Sequence, residues 1–440
     1  ELPIHDVSGR AKITANYKGK IGLKSDIKKD FYQAEKSAKI EFINTSFKYK
    51  PLALFHGLDG SMRLLNNRLE IDSVKGSTGK ESKLKFVGAI EHLFSKKKEL
   101  QIAGHLSSDW IKISEMIITD TTQESTPFII PNNILANITT SIKEASFEKF
   151  HMSQFQAKVS LKKGILKAKE VQLKSMSGNI NGDLTLSQTE EGNLRLITTT
   201  KLDQINVRQL FYEFENFGQT TIRHKHLRGK TTCDVYLRTE WDAYFYPITE
   251  NLYAFLDMKI NDGELIEFEP MLLMSDYISV DDLKRIRFST LENQIEVKNR
   301  SVEIPFMEIH SSAMDIAGSG THFFDNTLDY EIEFSLNEVM GKRWRKKNKK
   351  QISEFGEIEN DGVKGTIIPL KMTGTVDNPK ISFNFNRARQ SLNEGMYKQK
   401  QEIKDAFDQE FDKENNSNPE LEKNPDYNQI IEWEEDDHLF

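Results

Sequence analysis

The sequence predicts a mostly β protein: an elongated, curved antiparallel sheet forming a repeating β-groove, with few short helices and a C-terminal amphipathic helix. Three observations predict it. Apolar and polar residues alternate with a period of two through most of the chain, short turn signals separate the alternating runs, and helical periodicity is rare.

The alternating runs follow in chain order. Ile40 and Phe42 alternate with charges, then Leu69 and Ile71, Val159 and Leu161, and Val171 and Leu173. Cys233, Val235 and Leu237 form the next run, followed by Leu256, Met258 and Ile260, and by Ile295 and Val297. Ile316 precedes Tyr330, Ile332 and Phe334; Leu370 and Met372, then Ile381, Phe383 and Phe385, close the series. A period of two gives each strand one apolar and one polar face. Turn signals such as Asn66-Asn67, Lys163-Gly164, Asn181-Gly182, Asp361-Gly362 and Asp377-Asn378-Pro379 punctuate the runs. Connections this short favour antiparallel meanders, because a parallel pair needs a long crossover.

Helices are expected in two places. Residues 270–288 suit one or two short helices, with Asp281-Asp282 in a first turn. Residues 387–413 place Leu392, Met396, Ile403, Phe407 and Phe411 on one narrow stripe. The domain reading is therefore a β-groove region over 1–385, an amphipathic helix over 386–414 and an acidic, mobile tail over 415–440. Within the β region, repeat-like units fall near 46–120, 147–210 and 229–340, with last strands over 363–385. Their common pattern is turn, strand, strand, small polar residues, strand. The small polar stretches are Gly76-Ser77-Thr78-Gly79, Ser175-Met176-Ser177-Gly178 and Ser311-Ser312-Ala313.

Composition narrows the function classes. Of 440 residues, 37% are hydrophobic and 29% charged, with Phe 27 and Tyr 12, which argues against wholesale disorder. A net charge of −7 gives no global reason to expect nucleic acid. One cysteine, Cys233, rules out an internal disulfide framework and a Cys-rich metal site. No run approaches ~18 consecutive apolar residues. The chain opens at Glu1 without a leader pattern and reads as part of a longer protein, with any anchor upstream.

Motifs with chemistry are few. Lys342, Arg343, Trp344, Arg345, Lys346 and Lys347 begin the most polarised stretch, residues 342–350. It suits anionic lipid head groups, at about 1 kcal/mol per cation near the surface; it also suits RNA, or a solvated loop that keeps a sheet edge soluble. His224 and His226 stand two apart, a spacing for one face of a strand, but Arg223 and Lys225 oppose a metal there. Gly76–Ser82 resembles a phosphate loop only superficially, because Glu81 follows the lysine; it reads as a turn. Neither the carboxylate pairs nor His310 with Ser311-Ser312 forms an acid–base or nucleophile signature, so no enzyme, metal or cofactor is expected.

Three segments carry a family likeness: VRQLFYEFENFGQTTIRHKHLRGKTTCDVYL (207–237), IPFMEIHSSAMDIAGSGTHFFDNTLDYEIEFSL (304–336) and VKGTIIPLKMTGTVDNPKISFN (363–384). They resemble the C-terminal region of AsmA-like envelope proteins related to TamB, in the form found in Bacteroidetes-type bacteria. Gly374, Asn378 and Pro379 fit that group's strand, glycine, turn, proline, strand ending. The resemblance covers most of residues 46–413 and rests on pattern, with no catalytic motif to carry over. It implies an open groove formed by a curved sheet, and a periplasmic location with a tether to the inner membrane. It also implies a role in moving phospholipids between the two membranes.

The physics fits that implication. About twenty strands at ~4.8 Å spacing make a sheet ~100 Å long. An apolar face on such a sheet must be covered by a second sheet, by rolling, or by a ligand. Burying an acyl chain of about sixteen carbons is worth on the order of 10 kcal/mol gross at ~0.8 kcal/mol per CH₂. Rival readings are an ordinary β-sandwich core, a scaffold that assists outer-membrane protein assembly without carrying lipid, and an extracellular adhesin.

Overall fold

The computed structural model describes residues 4–20, 34–49, 54–80, 82–94, 99–115, 127–220, 222–268, 271, 280–312, 315–336, 366–376 and 378–383. All belong to one compact unit, Glu1–Arg389. The helix expected over 386–414, the tail over 415–440 and the basic stretch 342–350 lie outside the described residues.

Among the described residues, nineteen strands form one sheet. They are β1 (Ile4–Lys18), β2 (Glu35–Tyr49), β3 (Leu54–Leu65), β4 (Arg68–Thr78), β5 (Ser82–Glu91), β6 (Leu100–Lys112), β7 (Ile134–Phe147), β8 (Phe150–Lys162), β9 (Ile165–Ser175) and β10 (Gly178–Gln188). Then come β11 (Leu194–Asn206), β12 (Leu227–Trp241), β13 (Tyr253–Ile266), β14 (Arg285–Lys298), β15 (Ser301–His310), β16 (Asp315–Phe323), β17 (Thr327–Leu336), β18 (Thr366–Thr375) and β19 (Asn378–Phe383). Each strand pairs with the next, so the sheet is an extended, open meander rather than a closed barrel or a sandwich of two sheets.

The pairing is antiparallel with one exception. β6 and β7 run parallel, from Leu100 opposite Ile134 to Lys112 opposite Ser146. This corrects the all-antiparallel expectation. The chain between these strands, residues 113–133, is long enough to return to the starting end, as a parallel pair requires.

Among the described residues two α-helices accompany the sheet, α1 (Val207–Glu213) and α2 (Val280–Lys284). Asp281 and Asp282 occupy the first turn of α2, but residues 285–288, expected to be helical, open β14 instead. Arg285, Ile286, Arg287 and Phe288 alternate charge with apolar bulk, which suits a strand. α1 was not anticipated. Its cap is Asn206, whose side chain accepts from the Gln209 backbone N–H (3.0 Å).

Several strands carry bulges, and each of the three repeat-like segments holds one. In β4 a register shift separates Ile71 from Val74, and β15 has one between Ile304 and Met307. In β9, Val171 pairs with Gly182 and Ala168 with Leu184, across another shift. Each is a bulged strand followed by a turn and a partner strand. The small polar stretches mark the ends of these hairpins, as at Met176-Ser177, where both φ are positive (47° and 63°). Positive φ at two central residues suits the tight turn whose twist matches a hairpin.

Candidate functional site

The registers place the alternating apolar residues on one face. Residues directly opposite each other in a ladder share a side of the sheet. One row runs Ile13, Ile40, Met62, Ile71, Gly88, Gly104, Ile138, Val159, Ala168, Leu184, Thr198, Leu237, Ala254, Val297 and Val302. Phe42 and Leu69 join it from positions two along in β2 and β4, and Leu161, Val171 and Leu173 join it through their partners Leu166, Gly182 and Ile180. Val235 and Leu256 form the next row with Ile295, and Met258 and Ile260 continue it along β13. Beyond β15, Ile316 pairs with Phe334, Ile332 with Leu370 and Tyr330 with Met372. Ile381 stands opposite Met372, and Phe383 opposite Leu370. The bulges do not scramble the face, because each restores the partner alignment after one extra residue.

The face is only partly covered. Ile71, Val171, Ile260 and Phe334 are buried; the other predicted members with described side chains are half-buried. Two clusters fill part of it. Ala157, Ala168 and Val171 pack with Phe155, Val159, Leu173 and Leu184. Met176, Ile180 and Ile205 pack with Leu173, Leu202 and Leu210, so α1 lays Leu210 over one end of the face. An open depression crosses β9 to β12, and its lining includes the cross-strand row Val171, Gly182, Thr200 and Val235.

Sequence reasoning missed several members of the face. Met62, Ile138, Leu184 and Ile304 belong to it. Three of these strands interrupt the alternation with small or polar residues at face positions, Gly60, Thr140 and Gly182, and in β15 the bulge after Ile304 breaks the step.

Paired strand ends define two rims. The connections 207–226, 267–284 and 337–365 all join strand ends on the same rim. Exposed aromatics gather here: Phe147, Tyr212, Phe214 and Phe217. Phe214 stacks on Phe217 at 5.7 Å and tilts against Phe150 at 5.4 Å. Glu215, Asn216 and Phe217 all hold positive φ (52°, 56° and 55°), a conformation disfavoured for residues with a Cβ.

The titratable groups read as structural. Glu264, with a side chain 10% exposed, sits among Arg285 (3.0 Å), Arg287 (3.2 Å) and Arg228 (3.7 Å). Burial pushes its carboxyl up, but the Arg285 and Arg287 bonds outweigh that and hold it below the ordinary range. Burial pushes the Cys233 thiol up to about 12. His224 and His226 lie in a 3-10 turn rather than on a strand face, which corrects the strand reading. The cause is local bonding: His226 Nδ1 accepts from the Arg223 N–H (3.2 Å), and Asn216 Oδ1 accepts from the His224 N–H (2.8 Å). Gly79-Lys80 turns between β4 and β5, with Glu115 Oε2 accepting from the Lys80 N–H (2.9 Å). Ser312 Oγ accepts from the Arg287 N–H (3.1 Å), and His310 meets Asp315 at 3.2 Å. Among the described residues, no group of three His, Cys, Asp or Glu side chains is arranged to hold a metal. No helix among them is long and apolar enough to cross a membrane.

The chain matches no family model, no curated protein and no solved structure.

Proposed function

We propose that this chain is a non-enzymatic lipid-handling module of a bacterial envelope, holding phospholipid acyl chains along its apolar face. It works in the periplasm, tethered to the inner membrane in the full-length protein, and passes lipid toward the outer membrane. The observation that carries the reading is the largely apolar face on a single sheet, most of its predicted members only half-buried, with no second sheet stacked on it among the described residues. Apolar area left in water forfeits ~25 cal/mol per Å², which acyl chains recover by covering it. No polar recognition motif is needed for such binding. The AsmA-like resemblance supplies the envelope setting.

Uptake of a fluorescent phospholipid from vesicles tests the reading. Met258→Asp puts a charge in mid-face and is expected to reduce uptake at least tenfold while circular dichroism stays β-rich. Uptake equal to the unmodified chain would sink it.

The scaffold reading draws on a different observation, the exposed aromatics Tyr212, Phe214 and Phe217. Exposed aromatic clusters mark protein contacts. A scaffold tolerates Met258→Asp and loses its partner in a Phe214→Ala/Phe217→Ala variant.

A further inference from the structure

The sheet is not zipped evenly. β13 and β14 share twelve residue pairs, from Ala254–Val297 to Ile266–Arg285. β14 and β15 share three, Glu296–Glu303, Val297–Val302 and Lys298–Ser301. A single further bridge joins Phe288 to Ser311. Between these points, residues 289–295 of β14 and 304–310 of β15 do not pair with each other. The open stretch is seven residues, or about 23 Å at ~3.3 Å per residue.

The sequence keeps it open. Pro305 has no N–H to donate. The bulge between Ile304 and Met307 also shifts β15 out of step. Both ends, by contrast, are fastened. At one, Lys298 Nζ meets Glu296 (2.7 Å) and Glu303 (3.1 Å), and the Tyr253 hydroxyl donates to Glu296 (3.0 Å). At the other, the Ser312 N–H donates to the Arg287 carbonyl (2.7 Å). One side-chain hydrogen bond crosses the middle, from Asn293 Nδ2 to Met307 Sδ (3.3 Å). A thioether is a weak acceptor. Asn293 lies on the apolar face, opposite Met258 and 8% exposed, where its neighbours in alternation are Leu291 and Ile295.

We propose that this slot between β14 and β15 is a lateral portal, which opens to admit and release an acyl chain at the apolar face. The proposal rests on the lipid-handling reading. Parting the sheet here disturbs three ladder pairs, the Phe288–Ser311 bridge with its two Arg287–Ser312 bonds, the Lys298–Glu303 ion pair and one weak side-chain bond, whereas parting β13 from β14 disturbs twelve ladder pairs. At about 1 kcal/mol net per hydrogen bond, the slot is where opening is least costly. The backbone groups that face the slot and the Asn293 amide also give the ester region of an entering lipid something to bond.

Two measurements test it. Hydrogen–deuterium exchange of the unmodified chain should show the amides of residues 304–310 that do not bond β16 exchanging at least a hundredfold faster than residues 254–260; equal protection overturns the portal. A cross-link then tests its role. Asn293→Cys/Met307→Cys, oxidised, should exchange a fluorescent phosphatidylethanolamine with phosphatidylcholine vesicles at least tenfold more slowly than when reduced. The same treatment of Thr232→Cys/Lys259→Cys, partners across the zipped β12–β13 ladder, should change nothing. Cys233 is buried and stays out of both cross-links. Equal rates in the oxidised and reduced forms overturn the proposal. If the unmodified chain takes up no lipid at all, the lipid-handling reading fails, while the exchange contrast still reports on the slot.

Discussion

Single residues hold the bulges in place. In β2, Asn44 has φ 49°, and Asp59 Oδ1 on β3 accepts from its N–H (2.9 Å). In β9, Glu170 has φ 53°, and Asp183 Oδ1 on β10 accepts from its N–H (2.8 Å). The same device thus appears on both sides of the parallel joint. Asp183→Ala is expected to cost about 1 kcal/mol, the worth of one such bond, read as a lower urea midpoint at unchanged slope. Cys233 makes a second prediction. Its thiol, raised by burial to about 12, is neutral in the folded chain up to strongly alkaline pH. The unfolded thiol ionises near ~8.5. Its contribution to stability is therefore complete below ~8.5 and is lost as pH rises from there toward about 12. Tyr330, pushed up to about 12 by burial, acts in the same direction above its ordinary ~10. The melting temperature should fall between pH 9 and 11, less steeply in Cys233→Ala. A thiol reagent at pH 8 should label Cys233 only on unfolding.

At the scale of elements, alternation grouped the apolar residues strand by strand, and the pairing registers set those groups on a common face, with the slips in alternation falling at the bulges. Leu166, Ala168, Val171 and Leu173 step by two, then three, then two, and the step of three is the bulge. Val302, Ile304, Met307 and Ile309 do the same. The parallel β6–β7 joint was not legible, because a strand alternates identically in either direction. Only the length of 113–133 carried a hint. α1 was hidden because VRQLFYE is aromatic-rich and short, and Asn206 three before Gln209 was its only signal. An element-scale prediction follows from the two sides of one strand. Ile332→Asp, on the apolar face of β17, should impair lipid uptake, whereas Glu331→Gln, on the opposite side, should leave it within twofold. Equal effects would mean that the face is not the binding surface.

At the scale of the whole molecule, the question is what covers the apolar face. β1 and β19 are the outer strands and do not pair with each other, so the sheet does not close over itself by strand pairing. Glu264, clamped by Arg228, Arg285 and Arg287, ties β12, β13 and β14 together on the rim where the long connections lie. Its lowered pKa means this clamp contributes stability above the ordinary carboxyl range and loses it as pH falls. Glu264→Gln should therefore lower the melting temperature at pH 7 and lose that effect near pH 3. The central claim, that acyl chains cover the face, is tested most directly by native mass spectrometry of the chain purified without detergent, with lipid extraction from the same sample. Phospholipid bound in defined stoichiometry, and lost in Met258→Asp, is the predicted result. A lipid-free chain that stays lipid-free after incubation with vesicles would contradict it.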